Sequence, residues 1–168
     1  MTGKRATLSG AVLLVAGMLL TACGTDGGDV KDDLTWQAAK KEAQATALEI
    51  ANLIPSDQVA SIDQNPEGVL LSCDKTRHQW TGLTTVTMTE IGSEADLVAS
   101  LADQYRSSDK FTIDEFSDMS GGANFQLIAK DHEANYIVGP GVNEGELEIS
   151  AASSCFTLPE DIYPGGKF

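Results

Sequence analysis

A hydrolytic nucleophile needs a base beside it, and this 168-residue chain offers two histidines, His78 and His132, for that part. His132 lies in "KDHEAN" between Asp131 and Glu133, without the H-E-x-x-H spacing of a zinc site, where a hairpin turn is predicted. His78, in "TRHQW", opens a predicted strand close to Trp80 and reads as a partly exposed strand histidine packed on an aromatic. Carboxylates could do acid–base work if two of Asp109, Asp114 and Glu115 faced one cleft. Asp114, Glu115 and Asp118 fall in "DEFSDMSGG", but the D-x-[DN]-x-[DN]-G spacing of a calcium loop is missing. The glycines of "GPGVNEGE" lack the lysine of a phosphate-binding loop. These residues predict no catalytic constellation, no metal and no cofactor, so a non-enzyme is expected. Trp80 and Tyr136 are the aromatics placed to line a ligand pocket or partner contact, with core packing the competing use.

Of the three cysteines, Cys23 stands apart. Lys4 and Arg5 precede an uncharged run from Ala6 to Leu20, the pattern of a secretory signal. The run ends in Leu20-Thr21-Ala22-Cys23, which resembles the bacterial lipobox. The resemblance implies a diacylglyceryl group (palmitate-type chains) on the Cys23 thiol, cleavage before it, and Cys23 as the first residue of the mature lipoprotein. Two or more acyl chains, at about 0.8 kcal/mol per buried CH₂, hold a protein at a bilayer where one does so only marginally. The expected organisation is a signal peptide over 1–22, a lipidated flexible tether over 23–33 and one ectodomain over 34–168, lipid-anchored on the extracytoplasmic face of the cell membrane. The tether, "GTDGGDVKDD" after Cys23, has almost nothing to bury and reaches roughly 17 Å root-mean-square for ten residues.

In an exported chain the remaining thiols, Cys73 and Cys155, are expected to form a disulfide; a redox pair would call for a C-x-x-C spacing that is absent. The 11 basic and 25 acidic residues give a net charge of −14, and loss of Lys4 and Arg5 with the signal makes it −16. Such a surface repels nucleic acid and anionic headgroups and favours cationic partners.

Periodicity supplies the elements. From Asp33 to Ile54, Trp36, Ala39, Ala43, Ala47, Ile50 and Ile54 recur at helical spacing, with Pro55 as the stop. "SDQVASIDQNPEG" predicts a long connection. Strands follow at Val69–Cys73 and Arg77–Glu90, the latter interrupted or bulged at Gly82. A second helix begins with Ser93 as N-cap, buries Leu97, Leu101 and Tyr105, and ends near Ser107. Alternation then predicts three or four antiparallel strands, the last running through "ELEISAASSCF" so that Cys155 can lie beside Cys73. The fold class expected is α+β: two layers, an antiparallel sheet with two helices packed on one face, and one disulfide.

The lipobox, the helix ending in Ile54-Pro55, Cys73, the helix entered after Gly92-Ser93 and the closing "SSCFTLP" together resemble the small actinobacterial lipoproteins of the mycobacterial LppA type. The likeness spans most of the mature chain and implies an anchored, disulfide-bonded α+β domain, with no catalytic residues to carry over. The function expected is a non-catalytic binding or interaction module serving an envelope protein or small ligand. An envelope enzyme using paired carboxylates, or an immunity or sensor lipoprotein, is the alternative.

Overall fold

The computed structural model describes residues 34–168. Helix α1 (Trp36–Ala51) is capped by Thr35, whose hydroxyl accepts from the Ala38 N–H. It buries Ala39, Ala43, Ala47, Ile50 and Ala51, a stripe of mostly small side chains that lets the backbone lie close to the sheet. It is shorter than Asp33–Ile54: after Ala51 the amides of Leu53 and Ile54 reach back only three residues, so the chain tightens and turns before Pro55.

Eight strands follow or flank helix α2 (Glu94–Tyr105): β1 (Val59–Gln64), β2 (Val69–Ser72), β3 (Arg77–Met88), β4 (Phe111–Ser117), β5 (Ala123–Ala129), β6 (Asn135–Pro140), β7 (Glu146–Ala152) and β8 (Phe156–Thr157). All pairings are antiparallel, in the order β1-β3-β7-β6-β5-β4, with β2 and β8 also on β3. The long β3 is the spine: β1 lies along its second half and β2 along its first on the same edge. Both helices cover one face, α1 over β3 and β7 and α2 over β4 to β6. The expected two-layer α+β architecture is therefore the one found.

Alternation sorts the sheet. Val86 and Met88 of β3, Leu147 and Ile149 of β7, Val138 of β6, and Phe125 and Leu127 of β5 point to the helices, in one buried cluster with Ala43, Ala47 and Ile50 of α1 and Leu97, Val98 and Leu101 of α2. Burying one such leucine or phenylalanine contributes about 1.5–3 kcal/mol.

Three expectations are corrected. Residues 59–64, assigned to a connection, form β1; its edge position leaves it half-exposed, and a register shift between Val59 and Ser61 blurs its alternation. Gly82 is not a bulge, because Thr81 to Thr87 pair with Ala152 to Glu146 in unbroken register. The last strand breaks at Ser153, whose N–H donates to the Trp80 carbonyl while its hydroxyl accepts from the Trp80 N–H. That hydroxyl takes over the role of a strand carbonyl, and the chain bends before β8.

The bend brings the cysteines together. Ser72 and Phe156 both pair with His78, so Cys73 and Cys155 flank the start of β3 with Cα atoms 6.3 Å apart and their sulfurs bonded. The expected disulfide forms, with Cys155 placed just before β8 rather than at the end of β7.

Candidate functional site

The histidines and carboxylates singled out by type do not converge. His78 sits between β2 and β8 with its Nδ1 buried and without a hydrogen-bond partner. His132, in the β5–β6 turn, bonds through Nδ1 to the neighbouring Asp131 carboxylate. Glu133 in the same turn accepts from Arg77 at 2.9 Å, which ties that turn to the start of β3. Successive side chains of β4 point to opposite faces, so Asp114 and Glu115 cannot share a cleft, and Glu115 is engaged by Arg106 at 2.6 Å. Asp109 lies in the loop before β4.

Three carboxylates are held below their ordinary range by local donors. For Asp74 the Thr76 backbone N–H is the largest influence, followed by the Arg77 side chain. Asp118 is lowered first by the Ser120 hydroxyl and then by the Gly122 N–H, and its second oxygen accepts from Asn124. Its oxygens thus close the β4–β5 turn on itself. Glu94 is lowered by its own backbone N–H and by that of Gly145. Ser93 occupies the N-cap position of α2 without a side-chain cap bond; its hydroxyl donates instead to the Glu90 carbonyl. Among the described residues no group of three or more His, Cys, Asp and Glu side chains could hold a metal ion.

Trp80 and Tyr136 are corrected as contact residues: each is only 1% exposed. The parity of β3 and β6 that aims Val86 and Val138 at the helices aims these two the same way. Lys40 of α1 lies 5.7 Å above the Trp80 ring. The indole fills a slot that exists because Gly68 and Gly82 have no side chains: a Cβ on Gly82 would stand 2.1 Å from the ring, and one on Gly68 2.5 Å. Its N–H donates to the Phe168 carbonyl at 3.3 Å. Tyr136 packs edge-to-face on Phe111 with centroids 6.0 Å apart, and burial raises the pKa of its hydroxyl. Cys23 lies outside the described residues.

What sequence reasoning missed is the opposite face of the sheet. There the odd-numbered residues of β3 meet even-numbered residues of β7 in two rows: Leu83–Ser150–Ile137–Gln126 and Thr81–Ala152–Asn135–Ile128. Val69 of β2 extends the second row beside Thr81, and Leu71 lies beside Gln79 on the same face; both are half exposed. The β2, β3, β7 and β6 members of these rows floor an open groove of about 680 Å³, which Glu67, Lys167 and Glu148 also line. Lys167 is paired with Glu67 at 2.7 Å, so Glu148 carries the uncompensated charge among them. The floor is apolar at Val69, Leu71, Leu83 and Ile137 and polar at Gln79, Thr81 and Ser150. No nucleophile–base pair faces it among the described lining residues. Such a surface can hold an extended, partly apolar segment.

No family model, no curated protein and no solved structure matches this chain.

Proposed function

We propose that this chain is a lipid-anchored, non-catalytic binding module of the bacterial cell envelope, working on the extracytoplasmic face and receiving a segment of a partner protein on its uncovered sheet face. The observation that carries the binding reading is the apolar floor of Val69, Leu71 and Ile137, left exposed in an open groove on the sheet face that no helix covers. Exposed apolar side chains gathered in one place mark interaction surfaces more often than scattered ones do. The anchor reading is supported by Leu20-Thr21-Ala22-Cys23 after its basic and apolar leader, and the disulfide fits an oxidising compartment.

The test uses the full chain in cells. A clickable palmitate analogue should label the wild-type protein and not Cys23→Ala; equal labelling of both refutes the anchor. A photo-reactive residue at Leu71 or Ile137 should yield one and the same envelope protein, with little from Asp103 on α2. Equal yield from all three positions, or none from the groove, refutes the groove as the binding face.

A further inference from the structure

At one end of the sheet the antiparallel order gathers four loops that are distant in sequence: 52–58 before β1, 89–93 after β3, 118–122 between β4 and β5, and 141–145 between β6 and β7. They touch in series. Thr89 donates through its N–H to the Gln58 carbonyl and through its hydroxyl to that of Asp57. The Met88 N–H donates to the Gly145 carbonyl, and a Cβ on Gly145 would stand 3.2 Å from the Ile91 side chain. Gly122 lies against Pro140, at the end of β6.

Each of three tips carries a large apolar residue turned to solvent: Ile91 is 72% exposed, Val142 88%, and Met119 fully so. Turn tips ordinarily carry polar residues, and exposing all three on adjoining loops forgoes burial that would otherwise stabilise them. The charge around them is one-sided. The four loops contain Asp57, Glu90, Asp118 and Glu144 and no lysine, arginine or histidine, while Asp96 and Glu146 stand just inside. The cations lie outside these loops: Lys75 and Arg77 beside the β2–β3 turn, Lys110 before β4 and Lys130 in the β5–β6 turn belong to the other end, Lys40 and Lys41 lie on α1, Arg106 is held by Glu115 of β4, and Lys167 is paired with Glu67.

From this pairing of exposed apolar tips with an all-acidic surround, we infer that the loop end is a second docking surface, and that its occupant is a basic protein presenting an apolar spot ringed by lysine or arginine. The sign of the charge decides against an anionic bilayer, which would be repelled. A methionine between two aliphatics suits such a contact, since its unbranched, polarisable side chain adapts to a partner's shape. Complementary charge chiefly speeds encounter and suppresses wrong partners, and the apolar tips supply the retained contact. The inference rests on the domain being a binding module, but on neither the groove nor the anchor.

The experiment places a photo-reactive residue at Met119 or Val142 of the full chain in its own cells, beside the Leu71 and Ile137 probes. The expected result is one basic protein captured from both tip positions. With that protein purified, its association with the full chain should slow as salt rises and slow about tenfold in Glu90→Lys/Glu144→Lys. The milder Glu90→Gln/Glu144→Gln should move it the same way by less, and Asp103→Lys on α2 should leave it unchanged. Lipid adducts, adducts to a second copy of this chain, an acidic partner, indifference to both charge variants, or no adduct from the tips while the groove probes react would each overturn it. Silence from every probe would instead refute the binding reading itself.

Discussion

Gly82→Ala isolates the packing of Trp80. In a strand interior, replacing glycine by alanine ordinarily stabilises by roughly 0.5–1 kcal/mol through the unfolded chain. Here the new Cβ would stand 2.1 Å from the indole, and the ring has no free direction: it is 1% exposed, with Gly68 beside it and α1 above. Forcing a methyl into a filled site costs about 1–3 kcal/mol. With the backbone gain subtracted, a net loss of up to roughly 2.5 kcal/mol is expected. Trp80→Leu removes the outer part of the ring, so in that background the clash disappears and Gly82→Ala should become neutral or stabilising. The cycle therefore predicts a coupling of about 1–3 kcal/mol between the two sites. Urea unfolding followed by circular dichroism, with the disulfide intact, measures all four proteins. A Gly82→Ala effect of the same size and sign in both backgrounds would refute the slot and restore a purely backbone role for the glycine.

Replacing Cys73 and Cys155 together by alanine should lower stability by about 2–5 kcal/mol, because the bridge closes a separation of 82 residues; thermal unfolding of oxidised and double-mutant protein checks it. Glu94 and Asp118 have folded pKa values below their unfolded ones. Their stabilisation is therefore full above an unfolded pKa of about 4 and is lost as the pH falls through the lower folded values. Stability measured across that window should decline on acidification, and Glu94→Gln should flatten the decline.

The legibility of this chain followed periodicity. The Ala39–Ala43–Ala47 spacing announced α1 and its buried face, and the alternation of Leu147 and Ile149 announced β7. The pair Cys73 and Cys155 was readable from chemistry, since with Cys23 set aside as the expected lipid site two thiols remain and have one arrangement. Strand β1 was not readable: "VASIDQ" is an edge strand with a register shift, and much of its pattern faces water. Gly82 signalled a special backbone when its function was space for a ring two residues earlier. Trp80 and Tyr136 could be placed on strands, but which side of a strand faces the helices depends on tertiary pairing. The groove and the loop end were hidden for the same reason. Ile91, Met119 and Val142 each sit alone in a turn, and only the strand order makes them neighbours.

The contact of Trp36 with Phe168, at 5.3 Å between ring centres, has a mechanical consequence. The described chain enters and leaves the domain side by side, and Phe168 is stitched to Gly68 by two backbone bonds. A pull between the two ends loads that small seam first and peels it, while the ladder joining β3 to β7 carries no tension until the seam has opened.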